Sequence, residues 1–509
     1  MLDVVFIAPS NSQGLYQELS KDYAAIEPPS WACLLAESCR SRGYKVDIID
    51  TGAEKLSLSE TVERIVNLNP RLICITVYGQ NVNAGTTAMS GAVMLSKFIK
   101  KFGIEIPISF VGSHVQALPF DSLKNESSID IVFTNEGVYA LLNLLSKEIT
   151  PKHLKSVRGI AYQKDGEIFI NTPEKLVPKD RMDIDLPGYA WDLLPYDEKP
   201  FDLYRCPMWH AEYDHTVRSP YASVFSSLGC QFRCEFCMIN IINRSDNDPI
   251  GVAGNYNLMR FWSTEHVLKQ FDKLVEMGVY NVRIIDEMFL LNPQYYIPLC
   301  EGLIERGYGD KLRMWAYSRI DTIRRPGILK LVRAAGIRWL GLGIESGDRN
   351  VRLEVSKGKF QDVDIHEVVR QVEAADINVG GNFIFGLPGD TFESMQKTLD
   401  LALDLAPAMA NFYASMPLPG SQLYYDSLKK GIKLPQSYEA YSWHSYETFP
   451  LFNEQLTAAE ILKFRDEAYQ IFHTSPKFLE KIRQKYGDQA VENIVQNTKI
   501  KLKRKLLGD

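Results

Sequence analysis

Three cysteines within eight residues form the strongest chemical motif of the chain. Cys230, Cys234 and Cys237 have the spacing C-x3-C-x2-C. A cubane iron–sulfur cluster normally has four thiolate ligands, so three local cysteines leave one iron without a protein ligand. An open coordination position lets a substrate bind a metal directly, as in catalytic zinc sites. The spacing therefore predicts a 4Fe-4S cluster with one open iron, in a loop that Gly229 allows to fold tightly.

Two other readings of these cysteines are a zinc site and a set of inert buried thiols. A Cys3His zinc site would recruit His210 or His215, but zinc-binding cysteines usually come as two separated pairs. Three thiols cannot all form disulfides with one another. The chain has eight cysteines in 509 residues, too few for a disulfide scaffold. The five scattered ones are expected to behave mostly as small hydrophobic residues: Cys33, Cys39, Cys74, Cys206 and Cys300.

The cysteine loop follows the first strand of a predicted series of alternating strands and helices. Apolar runs at 222–227, 282–285, 313–316, 339–343, 379–385 and 410–415 predict strands, and helical patterns separate them. Such a series predicts a partial or complete barrel of the (β/α) type, here with six units. Barrels of this type place reactive groups at the carboxyl ends of their strands, which is where the cysteines lie.

The first 150 residues predict a second α/β unit. Apolar runs at 4–8, 45–49, 72–77, 106–111 and 129–133 alternate with helical patterns, which is typical of a parallel sheet with helices on both faces. Ligands bind such sheets at the carboxyl ends of the strands. The candidate loops are therefore 9–16, 78–85 and 112–119.

The predicted fold class is α/β with four segments. These are an α/β domain at 1–150, a linker with a small hairpin at 151–220, the barrel at 221–420 and a mainly helical region at 421–509.

Composition excludes some function classes and sets the expected location. The formal net charge is −6 and the pI is near 5.9, so no global positive field favours nucleic acid, and no nucleic-acid partner is expected. The basic run at 501–505 is expected to be a solvated helix face or a frayed tail. No export leader and no run of about 18 apolar residues is evident, which predicts a cytoplasmic protein with no membrane span.

The segment 221–420 resembles the radical S-adenosylmethionine superfamily through the cysteine loop and three later elements. The resemblance implies that S-adenosylmethionine binds the open iron and is cleaved to a 5′-deoxyadenosyl radical. It also implies that Phe236 lies near the adenine. The sequence Ile285-Asp286-Glu287 stands where the family has Gly-Gly-Glu, so either Asp286 or Glu287 would contact the methionine amino group.

Two further elements carry the resemblance to the end of the barrel. In Gly343-Ile-Glu-Ser-Gly347, the resemblance implies ribose contacts by Glu345 and Ser346. In the run from Asn382 to Gly389, Ile384 and Gly386 match the adenine-packing motif of the family, whereas Asn382 and Gly389 depart from it.

Residues 1–150 resemble the cobalamin-binding domain that precedes many radical S-adenosylmethionine cores. The matching pieces are Pro28-Pro29, the run 43–46 before Asp50, the run 111–119 and the run 130–137. The resemblance implies that the loop after Val111, with Gly112 and Ser113, receives the nucleotide tail of the corrin. The Asp-x-His-x-x-Gly motif is absent and His114 does not replace it by spacing, so cobalamin without a protein histidine ligand is expected. The alternative is a degenerate sheet that keeps only a structural or substrate-binding role.

Methylation of an unactivated carbon is the leading function implied by these two resemblances. Cobalamin-dependent cyclisation, ring contraction or another rearrangement is the nearest alternative. A methylthiotransferase would need Cys33, Cys39 and Cys74 for a second cluster, yet two of these lie on one predicted helix and point apart. A non-catalytic iron–sulfur sensor or electron carrier would normally have four cluster cysteines.

The expected partners are a small-molecule or natural-product substrate and an electron donor such as flavodoxin or ferredoxin. Three residues just before the barrel are candidates either for the substrate cavity or for ordinary packing: Tyr204, Cys206 and Tyr213. The aromatic segment 438–446 is a candidate either to cap the cavity or to form a satellite core.

Overall fold

The computed structural model of the protein describes residues 2–79, 81–196, 204–216, 220–244, 252–253, 256–323, 326–355 and 363–509. Residues 197–203 and 217–219 of the predicted linker and Gln80 of the loop 78–85 therefore lie outside the described residues. No helix of the described residues combines the length and the apolar character that crossing a bilayer requires.

The first sheet has five parallel strands followed by an antiparallel hairpin. Its order is β2-β1-β3-β4-β5-β6-β7. The strands from β1 to β5 are almost wholly buried because helices cover both faces of the parallel part, so near-continuous apolar runs such as VVFIA form them. The bounds are β1 Val4–Ala8, β2 Val46–Asp50, β3 Ile73–Thr76, β4 Ile108–Val111, β5 Ile131–Phe133, β6 Ile160–Lys164 and β7 Glu167–Ile170.

The hairpin of the predicted linker belongs to this sheet. β6 pairs antiparallel with β5, and β7 pairs antiparallel with β6. The sheet therefore continues past residue 150, and the segment after it holds more of the core than a linker would.

The second sheet is a parallel half-barrel in the order β15-β14-β13-β12-β11-β8. The predicted partial (β/α)6 barrel is confirmed. The antiparallel pair β9 and β10 lies at its rim, beside the cysteine loop. The bounds are β8 Tyr221–Val224, β9 Ser227–Gly229, β10 Met259–Phe261, β11 Asn281–Ile284, β12 Arg313–Arg319, β13 Ile337–Glu345, β14 Asn378–Phe385 and β15 Met409–Ala414.

Helices cover both sheets and form most of the region after β15. In the first half of the chain they are α1 Ser12–Tyr16, α2 Leu19–Asp22, α3 Ser30–Arg40, α4 Leu58–Leu68, α5 Gly85–Lys101, α6 Ser113–Ala117, α7 Pro119–Asn125, α8 Val138–Leu145, α9 Pro151–Leu154 and α10 Met182–Asp185. In the second half they are α11 Thr264–Glu276, α12 Pro293–Glu305, α13 Pro326–Ala334, α14 Arg349–Val355, α15 Ile365–Ala374, α16 Phe392–Leu405, α17 Gln422–Lys429, α18 Ala458–His473, α19 Pro476–Tyr486 and α20 Asp488–Lys499.

The half-barrel has two edge strands, β8 and β15, and other parts of the chain cover both. On the β8 side, the Ser30 hydroxyl donates to the Ser223 carbonyl at 2.9 Å, and the Ser223 hydroxyl donates to Glu27 at 2.9 Å. On the β15 side, α18 packs against the strand and Arg465 donates to the Phe412 carbonyl at 2.8 Å. The first domain and the helical C-terminal region thus cover the two open edges of the half-barrel.

The basic run near the C-terminus is only partly solvated. Arg504 is 1% exposed, and both Nε and Nη2 donate to the Asp466 carboxylate at 2.8 Å. The expectation of a solvated face or frayed tail is wrong for this residue, because its buried guanidinium pairs with the partly exposed Asp466 carboxylate. Lys505 beside it is exposed.

Two residues before the barrel are packing residues. The Tyr204 hydroxyl donates to Asp50 at 3.1 Å, and the Tyr213 hydroxyl donates to the Ala408 carbonyl. Cys206 is buried at 3% exposure.

Candidate active site

The backbone of the cysteine loop is held by the side-chain amide of Asn240 and by Gly229, whose conformation requires a glycine. Gly229 has a φ of +91°, and a Cβ there would lie 2.2 Å from the Leu258 carbonyl oxygen of the facing strand segment. The Asn240 side chain accepts from the Cys230 N–H and donates to the Phe232 carbonyl, both at 2.9 Å. These contacts fix the path of the backbone around the first cysteine.

The three thiols open into one cavity, and backbone N–H groups donate to two of them. The N–H groups of Phe232 and Ile239 donate to the sulfurs of Cys230 and Cys237, each at 3.4 Å. Burial raises the pKa of Cys230 to about 12 and that of Cys234 to about 11, and it holds the Cys237 pKa well above its usual range. Buried thiolates therefore need a cation beside them, and the donors suit sulfurs that carry negative charge. The donor set fits an iron–sulfur cluster.

The zinc alternative gains no support. His210 Nε2 donates to the Arg313 carbonyl at 3.1 Å, and the His215 ring packs against Tyr23. Neither histidine lines the cavity of the cysteines.

The cavity has a volume of about 910 Å³ and lies between the two α/β units and the C-terminal region. Its wall combines the cluster loop with residues of the first domain, such as Tyr16, Asn81 and Asn83. The barrel contributes residues that alternate along β11 and its extension, namely Arg283, Ile285 and Glu287, and the C-terminal region contributes Trp443, His444 and Arg465.

Of the two carboxylates predicted to meet the amino group, Glu287 faces the cavity and Asp286 does not. Asp286 accepts hydrogen bonds from the Ser226 N–H and from the hydroxyls of Ser226 and Ser227, at 2.6 to 2.7 Å. These contacts turn the chain out of β8 after Val224 and toward the cysteine loop. The strand therefore ends before residue 227, where the sequence predicted its end. Burial raises the Glu287 pKa to about 7.

Glu345 and Ser346 point in different directions. Glu345 lines the cavity with a φ of +67°, and burial raises its pKa to about 7. Ser346 has no exposed surface. Its hydroxyl accepts from the Asp348 N–H at 3.1 Å and lies 3.3 Å from the Thr398 hydroxyl, so it stabilises the turn after β13. The structure brings only Glu345 of this pair to the cavity.

The residues predicted for the adenine are also divided. Phe236 and Ile384 line the cavity and belong to one small apolar cluster with Val351, Val355 and Leu387. Gly386 has a φ of +77° and lies against α18, because a Cβ there would be 2.6 Å from Ile461. Gly386 therefore shapes the end of β14 and does not line the cavity.

The three loops predicted for cobalamin differ in access. Loops 9–16 and 78–85 reach the cavity, the second through Asn81, Asn83 and Ala84. Asn81 Oδ1 is buried and accepts no hydrogen bond among the described residues, so it fits the amide side chains of a corrin.

The third loop is packed against the protein itself. A Cβ at Gly112 would lie 2.3 Å from the Val77 carbonyl oxygen, and the Ser113 hydroxyl donates to the Val82 carbonyl at 2.5 Å. Neither residue lines the cavity, and the cobalamin contacts predicted for them remain a prediction.

Two histidines near this region have distinct roles. His114 Nδ1 lies 3.0 Å from the Thr86 hydroxyl, and burial lowers the His114 pKa to about 4. It does not line the cavity. His444 does, stacked on Tyr16 with ring centroids 5.4 Å apart, and its Nε2 accepts from Arg465 at 3.4 Å. The aromatic segment 438–446 thus caps the cavity through Trp443 and His444, while Tyr438 packs on His114 in the satellite core.

Two residues at the cluster were missed by the sequence analysis. Asn83 Oδ1 accepts from the Met238 N–H at 3.0 Å, which directs its Nδ2 to the Cys237 sulfur at 3.7 Å. Arg319 lies 3.7 Å above the Phe232 ring and pairs with Asp321. Asn83 lies in a predicted ligand loop, and Arg319 lies at the carboxyl end of a strand. Both positions are typical of functional residues in such folds, so they are the sequence signals that could have identified these two residues.

Comparisons with known proteins agree with this architecture. The Radical SAM superfamily matches residues 224–402, and the B12 binding domain matches residues 21–145. The protein named Uncharacterized methyltransferase PH0819, from Pyrococcus horikoshii, is 26% identical over 89% of this chain and 89% of its own. An anaerobic magnesium-protoporphyrin IX monomethyl ester cyclase of Cereibacter sphaeroides is 24% identical over 92% of this chain and 70% of its own.

A solved structure has the same fold over nearly the whole chain. The radical S-adenosylmethionine methyltransferase TsrM of Kitasatospora setae, with cobalamin and an iron–sulfur cluster bound, superposes with a TM-score of 0.68 at 14% identity, covering 98% of this chain and 100% of TsrM. Because the chain combines a radical S-adenosylmethionine domain with a B12 binding domain, it is a cobalamin-dependent radical S-adenosylmethionine enzyme, and its cofactors are an iron–sulfur cluster, S-adenosylmethionine and cobalamin.

Proposed function

We propose that this enzyme transfers a methyl group to an unactivated carbon of a small molecule. The observation that carries the proposal is the shared cavity, in which Cys230, Cys234 and Cys237 face the same space as Tyr16 and the loop with Asn81 and Asn83. A radical formed at one wall and a methyl group held at the other can meet only in such a common space.

The chain positions the reactants and excludes water. When bound, the cluster and S-adenosylmethionine supply a 5′-deoxyadenosyl radical, and cobalamin supplies the methyl group. Glu287 and Glu345 accept hydrogen bonds from the ammonium and the ribose hydroxyls, and Phe236 and Ile384 pack against the adenine. The strand ends that carry these cavity residues are held in place by their neighbours Asp286, Ser346 and Gly386.

Cobalamin is proposed to bind without a protein histidine on cobalt. In support, the His114 ring is hydrogen-bonded to the Thr86 hydroxyl outside the cavity, and the Nε2 of His444 already accepts a hydrogen bond from Arg465. Electron paramagnetic resonance of the cobalt(II) form should show no nitrogen splitting. Splitting that disappears in His114→Ala or in His444→Ala would contradict this.

Cyclisation or another rearrangement is the second candidate, because one relative that spans most of the chain is a cyclase. Methylthiotransfer has no structural support. Cys33, Cys39 and Cys74 are each at most 1% exposed in the core of the first domain, and none lines the cavity.

The test uses isotope-labelled S-adenosylmethionine. The reconstituted enzyme with cobalamin and reduced flavodoxin, the proposed type of electron donor, is incubated without oxygen with a metabolite extract and S-adenosylmethionine that carries a trideuterated methyl group. Methyl transfer predicts a product that contains the label, with 5′-deoxyadenosine and S-adenosylhomocysteine formed in equal amounts. Formation of 5′-deoxyadenosine with an altered but unlabelled product would establish the second candidate instead.

A further inference from the structure

Arg283 is a buried arginine on the inner face of the half-barrel. It lies on β11, its side chain is 8% exposed, and it lines the cavity. Because side chains alternate along a strand, Arg283, Ile285 and Glu287 face the same way, with Arg283 deepest. Arg283 lies four positions before Glu287, up to about 13 Å of extended chain, so Arg283 lies below the rim where the cysteines are.

One edge of the Arg283 guanidinium is occupied and the other is free. Nη1 donates to Glu27, whose side chain is 5% exposed and whose second oxygen accepts from Ser223. Nε is buried and has no hydrogen-bond partner among the described residues, and no described residue accepts from Nη2. The edge formed by Nε and Nη2 is the two-pronged donor that matches a carboxylate. Leaving a buried, charged donor unsatisfied is costly, so this edge is suited to a ligand.

The space around the free edge is aromatic. The Arg283 guanidinium carbon lies 5.0 Å from the centre of the Tyr317 ring. Burial raises the pKa of Tyr413 to about 12, and the charge of Arg283 opposes this rise, so the Tyr413 ring is within electrostatic reach. Tyr16, Trp209, Tyr317 and Tyr413 all line the cavity. A flat, largely apolar body fits between such rings.

We propose that the Nε and Nη2 groups of Arg283 bind a carboxylate of the acceptor substrate, whose apolar or aromatic body occupies the space between the tyrosines. The proposal deepens the proposed function by naming the substrate class and rests on it. A carboxylate is favoured over a phosphate, because Glu27 already neutralises this guanidinium, so a carboxylate adds one uncompensated charge to the buried site whereas a phosphate adds up to two. Arg283 is thereby a binding residue that turns the rest of the substrate toward the rim.

Matched pairs of probes test this without knowledge of the substrate. The holoenzyme is titrated with benzoate and naphthalene-2-carboxylate and with the carboxamide of each, and binding is followed by calorimetry. At least one carboxylate should bind roughly 10- to 100-fold more tightly than its carboxamide, the range for a charged hydrogen bond at a buried site. If no carboxylate binds more tightly than its carboxamide, the proposal is wrong.

Arg283→Lys removes the two-pronged donor but keeps the charge beside Glu27, so the fold is preserved. It should abolish the preference for the carboxylate. The double variant Glu27→Gln/Arg283→Gln, which leaves no unpaired charge, should abolish it as well. Arg313→Lys is the control, since this arginine lies on the neighbouring β12 with a side chain that is 57% exposed, and the preference should persist.

Cofactor measurements separate this proposal from the proposed function. Arg283→Lys should retain the cluster spectrum, S-adenosylmethionine affinity and reductive formation of 5′-deoxyadenosine. Loss of S-adenosylmethionine affinity with an unchanged carboxylate preference would mean that Arg283 holds the methionine carboxylate, which overturns the proposal. The enzyme could instead show a carboxylate preference that depends on Arg283 and yet never transfer a methyl group. The carboxylate site at Arg283 would then be supported, and only the proposed methylation would be wrong.

Discussion

At the scale of single residues, Glu287 and Glu345 are the two cavity carboxyls that we propose to bind S-adenosylmethionine. Both are acidic groups whose pKa is raised to about 7 by burial. Their neutral forms are therefore favoured in the folded protein below pH 7, and Glu287 must ionise to bind an ammonium group well. Because the raised pKa exceeds the unfolded value, these two carboxyls stabilise the cofactor-free fold least above pH 7.

The first prediction concerns pH. Affinity for S-adenosylmethionine should fall as the pH drops from 8 to 6, because binding must then release protons from the carboxyl groups. Calorimetry in buffers of different ionisation enthalpy measures this proton release. Glu287→Gln should flatten the pH dependence and raise the melting temperature of the cofactor-free chain at pH 8. An affinity that does not vary with pH in the unaltered enzyme would contradict the assignment.

The second prediction concerns Glu345, which lies at the cavity while its neighbour Ser346 does not. Glu345→Ala should weaken S-adenosylmethionine binding by about 1–3 kcal/mol, the cost of losing a charged acceptor, and should leave the cluster spectrum intact. Glu354→Ala is the control, since Glu354 is an exposed carboxylate on the nearby α14. Equal affinity in Glu345→Ala and Glu354→Ala would place the ribose contact elsewhere.

At the scale of elements, the loop after β3 connects the two α/β units at the cluster. The Asn83 amide accepts from the Met238 N–H and donates toward the Cys237 sulfur. Hydrogen bonds to cluster sulfurs stabilise the reduced, more negative state and so raise the reduction potential. We therefore expect the first domain to influence the reduction potential of the cluster through Asn83.

The third prediction follows from this contact. Asn83→Leu should still assemble the cluster, but its reduction potential should become more negative, which a redox titration monitored by electron paramagnetic resonance measures. Asn125→Leu, at the exposed end of α7, should leave the potential unchanged. A potential identical in all three proteins would show that the amide does not act on the sulfur.

The sequence predicted the elements better than it predicted their junctions. Buried apolar runs such as 4–8 and 379–385 match β1 and β14 within a residue. β12 and β13 extend further than predicted, to Arg319 and Glu345, because their ends carry polar residues that face the cavity and break the apolar pattern.

The cysteine ligands could be predicted because their spacing is local, whereas contacts between distant segments could not. Asn83 meets Cys237 across 154 residues of sequence, and Glu27 meets Arg283 across 256. No periodicity links such positions. The choice of Glu287 over Asp286 also depended on hydroxyl groups of another strand end, those of Ser226 and Ser227.

At the scale of the whole molecule, the cavity is closed by three separate parts of the chain, and the C-terminal tail joins two of them. The Gln17 side chain donates to the carbonyls of His444 and Lys503, at 2.7 and 3.1 Å. Arg504 Nη1 donates to the Ser445 carbonyl and Nη2 to the Trp443 carbonyl, both at 2.9 Å. The tail thus holds the loop with Trp443 and His444 against α1, and Asp466 on α18 fixes Arg504 in turn.

The last prediction concerns this closure. Arg504→Ala removes a buried guanidinium that pairs with the partly exposed Asp466 and should lower the free energy of unfolding by about 1–3 kcal/mol. Because the loop 442–448 then loses its carbonyl contacts, water should enter the cavity and more 5′-deoxyadenosine should form per product. Lys505→Ala is the control, since this exposed lysine pairs only with Glu447 among the described residues. Chemical denaturation measures stability, and chromatography measures the ratio of 5′-deoxyadenosine to product. If Arg504→Ala is less stable but forms the same amount of 5′-deoxyadenosine per product as the unaltered enzyme, then the tail stabilises the fold but does not exclude water from the cavity.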